Sequence, residues 1–258
     1  MEDVQGQKDT RNIPINKVGI KGIKYPITVF DKVNKYQQTV ASIDMFVDLP
    51  HEDKGTHMSR FIEILHEVRH EVSNRAFTLI LKQMKQQLNA KSAQIKLRFP
   101  YFIEKKAPVS GATGLMDYDC AFIASCNSSE KVDLIMEANV PVTSVCPCSK
   151  EISKYGAHNQ RGNVKLKIRF TDLIWLEDMI SLVEKSASSE VYSILKRVDE
   201  KEVTERAYDN AKFVEDIVRD IAIELEAEKS ICWFEISVEN FESIHNHNAY
   251  AFIERDKR

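Results

Sequence analysis

Cysteine is scarce in this chain of 258 residues, and its five copies, Cys120, Cys126, Cys146, Cys148 and Cys232, are odd in number. That excludes a disulfide framework as the organising device and leaves at least one thiol for chemistry or packing. A surplus of positive charge is missing too. Lys plus Arg number 36 against 39 Asp plus Glu, for a net charge of −3. No global positive field is available to grip a nucleic-acid backbone, although a local cluster of Lys and Arg can still serve a small anionic substrate. No apolar run approaches a membrane span, and the opening MEDVQGQKDTRN lacks the apolar core of a secretory signal. The expectation is a cytoplasmic protein with neither membrane nor nucleic acid as partner. What is present, 43% hydrophobic and 29% charged residues, suits one large domain or two fused half-domains with a substantial core.

Val18 to Phe30 and Thr39 to Leu49 are rich in Ile, Val, Phe and Thr, and the second alternates as a half-buried strand does, so a hairpin is expected to open the fold. In SRFIEILHEVRHEV, residues Phe61, Ile62, Leu65 and Val68 fall at helical spacing, and a second helical pattern runs from Phe77 to Leu88 without Gly or Pro. Ile95 to Phe102 and Leu115 to Ala124 return to strand composition around the turn-rich APVSGATG. From residue 131 the order repeats. Strands are expected near Asp133–Thr143 and Val164–Phe170, helices near Leu173–Leu195 and Ala211–Glu228, and strands near Ile231–Asn240 and Ala249–Ile253. Each half thus reads ββααββ, giving modules at 1–130 and 131–258. The class is α+β, with antiparallel sheets whose exposed edges must be paired or covered, as oligomer closure would do.

The segment TSVCPCSKEISKYGAHNQRG, residues 143–162, gathers two thiols, an imidazole and several basic and amide groups into a loop between two expected strands. Cys146 and Cys148 flank Pro147, whose fixed φ stiffens the turn, and His158 follows a short loop later at a spacing that can close a metal chelate. This is not the paired arrangement of a structural zinc knuckle, so further ligands must come from elsewhere. Taken alone, Cys-Pro-Cys is as readily two packed thiols as a functional pair; the polar, basic neighbourhood favours chemistry.

The run KRVDEKEVTER, residues 196–206, is of the kind that usually forms a solvated face, yet Glu200 within it is a candidate metal carboxylate. Glu215 falls at the start of a helix with an apolar face of Phe213, Val214, Ile217, Val218 and Ile221, where the helix dipole favours a carboxylate without any ligand. NFESIHNHNA brings Glu242, His245 and His247 together, a set able to move protons near neutral pH, although histidines in a surface turn are often merely exposed. In KGTHMSR, His57 and Arg60 stand at a helix start, a natural place for phosphate oxygens, with a cap by Thr56 or Ser59 as the plain alternative.

Together SVCPCSKEIS, YGAHNQRG, KRVDEKEVTERAYDNAKFVEDIVRD and NFESIHNHNAYA resemble the GTP cyclohydrolase type IB family, as do DTRNIPINKVGIK, KGTHMSR and KKAPVSG, so the likeness spans nearly the whole chain. The resemblance implies the tunnelling fold, with two ββααββ modules per chain assembling into barrels and a homotetramer with sites near subunit interfaces. It implies hydrolysis of GTP to 7,8-dihydroneopterin triphosphate and formate, the first step of folate synthesis, with one divalent metal per site. By motif, Cys146, His158 and Glu200 are the metal ligands, Glu215 anchors guanine, and His245 backed by Glu242 transfers protons. Three ligands leave a position open for water, the catalytic pattern. His57, Arg60, Lys150 and Arg161 are the expected substrate contacts, with Lys154 and Lys201 further triphosphate candidates. Two positions depart from the family's motifs, which usually carry Pro where this chain has Val198 and Ala211; the proposed ligands are untouched.

Two rivals frame that reading. A nitrile reductase of the same fold would use a cysteine as covalent nucleophile and a nicotinamide hydride donor, and so needs a free reactive thiol and no metal. A non-catalytic module would hold a closed structural zinc. The mixed sulfur, nitrogen and oxygen set leaves Zn, Mn and Fe all open.

Overall fold

The structure, a computed structural model, describes residue 5 and residues 7–67, 72–128 and 131–258; Val68, expected on the first helix, lies outside them. Chain contacts divide it into two compact units, Met1–Pro100 with Ala121–Met136, and Tyr101–Cys120 with Glu137–Arg258.

In the first unit β1 (Ile15–Asp31) and β2 (Lys35–Leu49) form the expected antiparallel hairpin. Alternation puts Ala41, Ile43, Met45, Val47 and Leu49 inward, the period-2 pattern of a strand with one wet face. Helices α1 (Met58–Glu67) and α2 (Asn74–Gln87) bury Phe61, Ile64 and Leu65, and Phe77, Ile80, Leu81 and Met84. Ile62, expected among the apolar positions, is instead 40% exposed, because the buried stripe runs through Phe61, Ile64 and Leu65. The Ser73 hydroxyl starts α2 by accepting the Ala76 amide at 3.2 Å. The strands β3 (Ala93–Lys106), β4 (Thr113–Cys126) and β5 (Val132–Val145) run from one unit into the other.

The second unit continues with α3 (Pro147–Ile152), β6 (Asn159–Phe170), α4 (Leu176–Ser186), β7 (Ser189–Glu190), α5 (Arg197–Asp209), α6 (Val214–Ala227), β8 (Ile231–Asn240) and β9 (Ala249–Asp256). Helix α6 packs on β8 and β9 through Val214, Ile217, Val218, Ile221 and Leu225, much as its periodicity predicts, although Phe213 stays 39% exposed. The described strands make one large sheet ordered β1-β2-β3-β4-β5-β6-β8-β9, with β7 pairing β5. The fold is α+β.

The helix expected over Leu173–Leu195 stops at Ser186. The small residues that follow lie against the β5 edge, where the Ser188 hydroxyl accepts the Val145 amide at 3.1 Å and Ser189 pairs with Thr143. The charged run also takes regular structure. It forms α5, a helix with only Asp199 and Ala207 buried, so with the short α3 the described second half carries two helices more than the expected ββααββ order.

Candidate active site

Helix α3 begins at Cys146, which takes the N-cap with Pro147 in the first turn, a position where proline's fixed φ and missing N–H cost nothing. The Cys146 sulfur accepts the Ser149 amide at 3.4 Å. Ser149 Oγ donates to the Cys146 carbonyl and accepts the His158 amide, both at 3.1 Å. The Cys146 amide in turn donates to the His158 carbonyl at 3.1 Å. The loop is therefore folded back on itself with Cys146 and His158 as hydrogen-bonded neighbours. Cys148 is exposed.

His158 Nδ1 lies 3.0 Å from Gln160 Oε1 and 3.9 Å from Glu242 Oε2. Its ring meets that of His245 edge-on at 6.5 Å, and His245 stacks on His247 at 5.0 Å. The side chains of His158 and Glu242 are 13% and 12% exposed, whereas His245 and His247 are exposed. Glu242 thus approaches His158, and no described hydrogen bond joins it to His245. The β8–β9 pairing ends at Asn240 and Ala249, so the His245–His247 juxtaposition is made by a loop and not by strand alternation.

Behind His158 lies a buried polar cluster with no motif to announce it. Ser144 Oγ accepts Gln160 Nε2 at 3.3 Å and Asn240 Nδ2 at 3.0 Å, and donates to the Lys212 carbonyl at 2.9 Å. One signal was legible: in β5, Val140, Val142 and Ser144 are all buried, so a hydroxyl occupies an inward position in an apolar alternation, where burial demands partners.

The remaining site residues are held separately. Glu200 stands in the first turn of α5 and is exposed. Its neighbour Asp199 is fully buried; it accepts the Val109, Ser110 and Lys196 amides at 2.8–2.9 Å and the Ser110 hydroxyl at 2.6 Å. Burial alone would raise its pKa, but these donors, the Ser110 side chain foremost, hold its carboxyl well below the usual range. Glu215 is exposed in the first turn of α6. Lys150 is engaged, donating to the Tyr208 carbonyl at 2.6 Å with its ammonium 4.5 Å over the Tyr208 ring. Arg161 is exposed. His57 and Arg60 belong to the first unit, where the Arg60 guanidinium donates to the Gln87 carbonyl at 2.7 Å.

Among the described residues no three His, Cys, Asp or Glu side chains converge as a metal-holding group. Cys146 and His158 supply a thiol and an imidazole on one tightly bonded loop. That donor pair fits a borderline-soft divalent ion, with at least one more ligand required.

Residues 1–251 match the family described as type I GTP cyclohydrolase folE2. The chain is 60% identical to the GTP cyclohydrolase FolE2 of Desulfosudis oleivorans, covering 98% of this chain and 97% of that one. It is 60% identical to the FolE2 of Syntrophobacter fumaroxidans over the full length of both. For Geobacter metallireducens FolE2 the identity is 57%, over 100% of this chain and 98% of the relative. Among solved structures, urate oxidase from Bacillus sp. TB-90 aligns with a TM-score of 0.52 over 94% of this chain and 100% of that chain at 7% identity, a likeness of fold alone. No described helix is long and apolar enough to cross a membrane.

Proposed function

The chain belongs to the type I GTP cyclohydrolase FolE2 family, a GTP cyclohydrolase of folate biosynthesis, and on that premise we propose how its residues divide the work. Cys146 and His158 would hold a divalent ion, with Glu200 as the third ligand, and the observation that supports the first two is the hydrogen-bonded juxtaposition of Cys146 and His158. When bound there, such an ion would supply Lewis-acid chemistry to the hydrolysis of the guanine ring. Glu215 anchors the base, because one carboxylate accepts from both the N1 and the 2-amino donors. His245 delivers a proton to N7 and so prepares C8 for addition, its ring placed against His158 and His247. Glu242, 3.9 Å from His158 Nδ1, is the acidic partner that backs His245 in proton transfer.

Arg60, His57, Lys150 and Arg161 take the triphosphate. Two modules per chain, divided near residue 130, close into barrels of a homotetramer in the cytoplasm. Among the described strands β1 and β9 stand at the two ends of the order, and those edges support that closure, as do Tyr250 and Phe252 on β9, 62% and 48% exposed. Incubating metal-replete protein with GTP while following formate release and pterin fluorescence tests the chemistry: both signals are expected together, and neither appears if the reading is wrong. Sedimentation of the same sample tests the tetramer.

A further inference from the structure

Ser144 has one hydroxyl proton and two lone pairs, and all three are committed. The Lys212 carbonyl can only accept, so the proton goes there, at 2.9 Å. Gln160 and Asn240 must then both present NH₂ groups to Ser144, at 3.3 and 3.0 Å. With its nitrogen turned to Ser144, Gln160 has only its carbonyl oxygen left for His158 Nδ1, 3.0 Å away. An oxygen acceptor requires a donor, so Nδ1 carries the proton, and in the neutral ring Nε2 carries the lone pair. Glu242 Oε2, at 3.9 Å from the same nitrogen, lies beyond hydrogen-bonding distance and cannot substitute for Gln160. The cluster is buried: Ser144 is 0%, Gln160 7% and Asn240 2% exposed. Water therefore does not compete for these bonds, and flipping the Gln160 amide would set its oxygen against the Ser144 oxygen, whose proton is already committed.

We propose that Gln160, locked by Ser144, is a positioning residue that fixes His158 in the tautomer whose Nε2 is free to bind metal. The inference rests on the reading of His158 as a ligand and adds to it the residues that choose which nitrogen binds. Lys212 and Asn240, remote in sequence, thereby take part in site geometry without touching substrate.

The test uses the metal-free and zinc-titrated full chain. Imidazole ¹⁵N shifts of the metal-free protein report the tautomer, and competition against a chelator reports zinc affinity. Gln160→Met keeps the volume and removes both polar groups; a mixed tautomer and roughly 10–100-fold weaker zinc binding are expected. Gln160→Glu keeps an acceptor toward Nδ1, with the Ser144 proton turning from the Lys212 carbonyl to the second carboxylate oxygen, and is expected to restore both readouts, a rescue that a purely structural role would not give. Should Gln160→Met fail to fold, Ser144→Ala frees the amide to flip and is expected to mix the tautomers. A single Nδ1–H tautomer with unchanged zinc affinity in Gln160→Met or Ser144→Ala overturns the inference. Unchanged zinc affinity in His158→Ala overturns the ligand reading beneath it, so the two failures are told apart.

Discussion

Cys146 and Cys148 differ at the level of single atoms, and the difference decides what each substitution does. The Cys146 sulfur is half-buried and accepts an amide at its helix start, whereas Cys148 is exposed. Cys146→Ala is expected to abolish turnover and lower metal content, while Cys148→Ala loses at most about 10–100-fold if its thiol acts from outside the ligand set. Metal analysis of both variants checks this, and complete loss in both makes Cys148 a ligand. Glu215→Gln turns an acceptor pair into one acceptor and one donor facing two donors. It should therefore weaken GTP more than inosine triphosphate, which lacks the 2-amino group; equal weakening in binding assays leaves Glu215 a helix-start carboxylate. His245→Ala should keep metal and bind GTP while slowing ring opening by about 10²–10⁴-fold. His247→Ala, which removes only the ring stacked on His245, should slow it less. Metal loss in the first variant, or a larger rate defect in the second, would reverse the roles.

Helix starts carry much of the element-scale information. Ser73 caps α2 through the Ala76 amide, and Ser73→Ala should cost about 1 kcal/mol in urea unfolding with activity retained. At α5 the corresponding device is larger: Asp199 ties the helix start to the Ala107–Ala112 turn through Val109 and Ser110. It stands next to Glu200, so the anchor also fixes where that carboxylate begins. Val198, 53% exposed, lies in the same first turn, and Ala211 follows the C-cap Asn210. The missing prolines therefore sit outside the hydrogen-bonded interior of either helix.

For the whole molecule, pH dependence follows from which form of each group folding favours. Burial opposes ionisation of Asp31, Asp44, Glu190 and Asp199, yet the hydrogen bonds they accept outweigh it and hold all four below their ordinary pKa. Their contribution is present above the unfolded carboxylate pKa of about 4 and is lost as pH falls through the folded values. Tyr118, pushed up by burial and the Glu184 carboxylate, and Cys120, pushed up by burial and Asp119, act at the other end. Folding favours their neutral forms, so stability falls as pH rises past the unfolded thiol pKa of about 8.5 and the phenol pKa of about 10. The urea midpoint should be flat between roughly pH 5 and 8 and drop on both sides. A midpoint at pH 3 equal to that at pH 7 would contradict the carboxylate assignment.

The sequence by itself determined the hairpin, the two amphipathic helices of the first unit and α6, because period-2 and period-3.6 burial patterns are local properties. It also determined that Cys146 and His158 could meet, since one short loop holds both. The charged run was not legible as α5, because periodicity reports burial and only Asp199 and Ala207 are buried there; nor was the early end of α4, where small serines serve the β5 edge. Tertiary structure alone decided the polar cluster behind His158. Which way the Gln160 amide faces depends on Ser144, whose bonds to Asn240 and Lys212 span 96 and 68 residues of sequence. A hydrogen bond's direction is set by the last free donor or acceptor in a closed network. No local pattern of residue types records that.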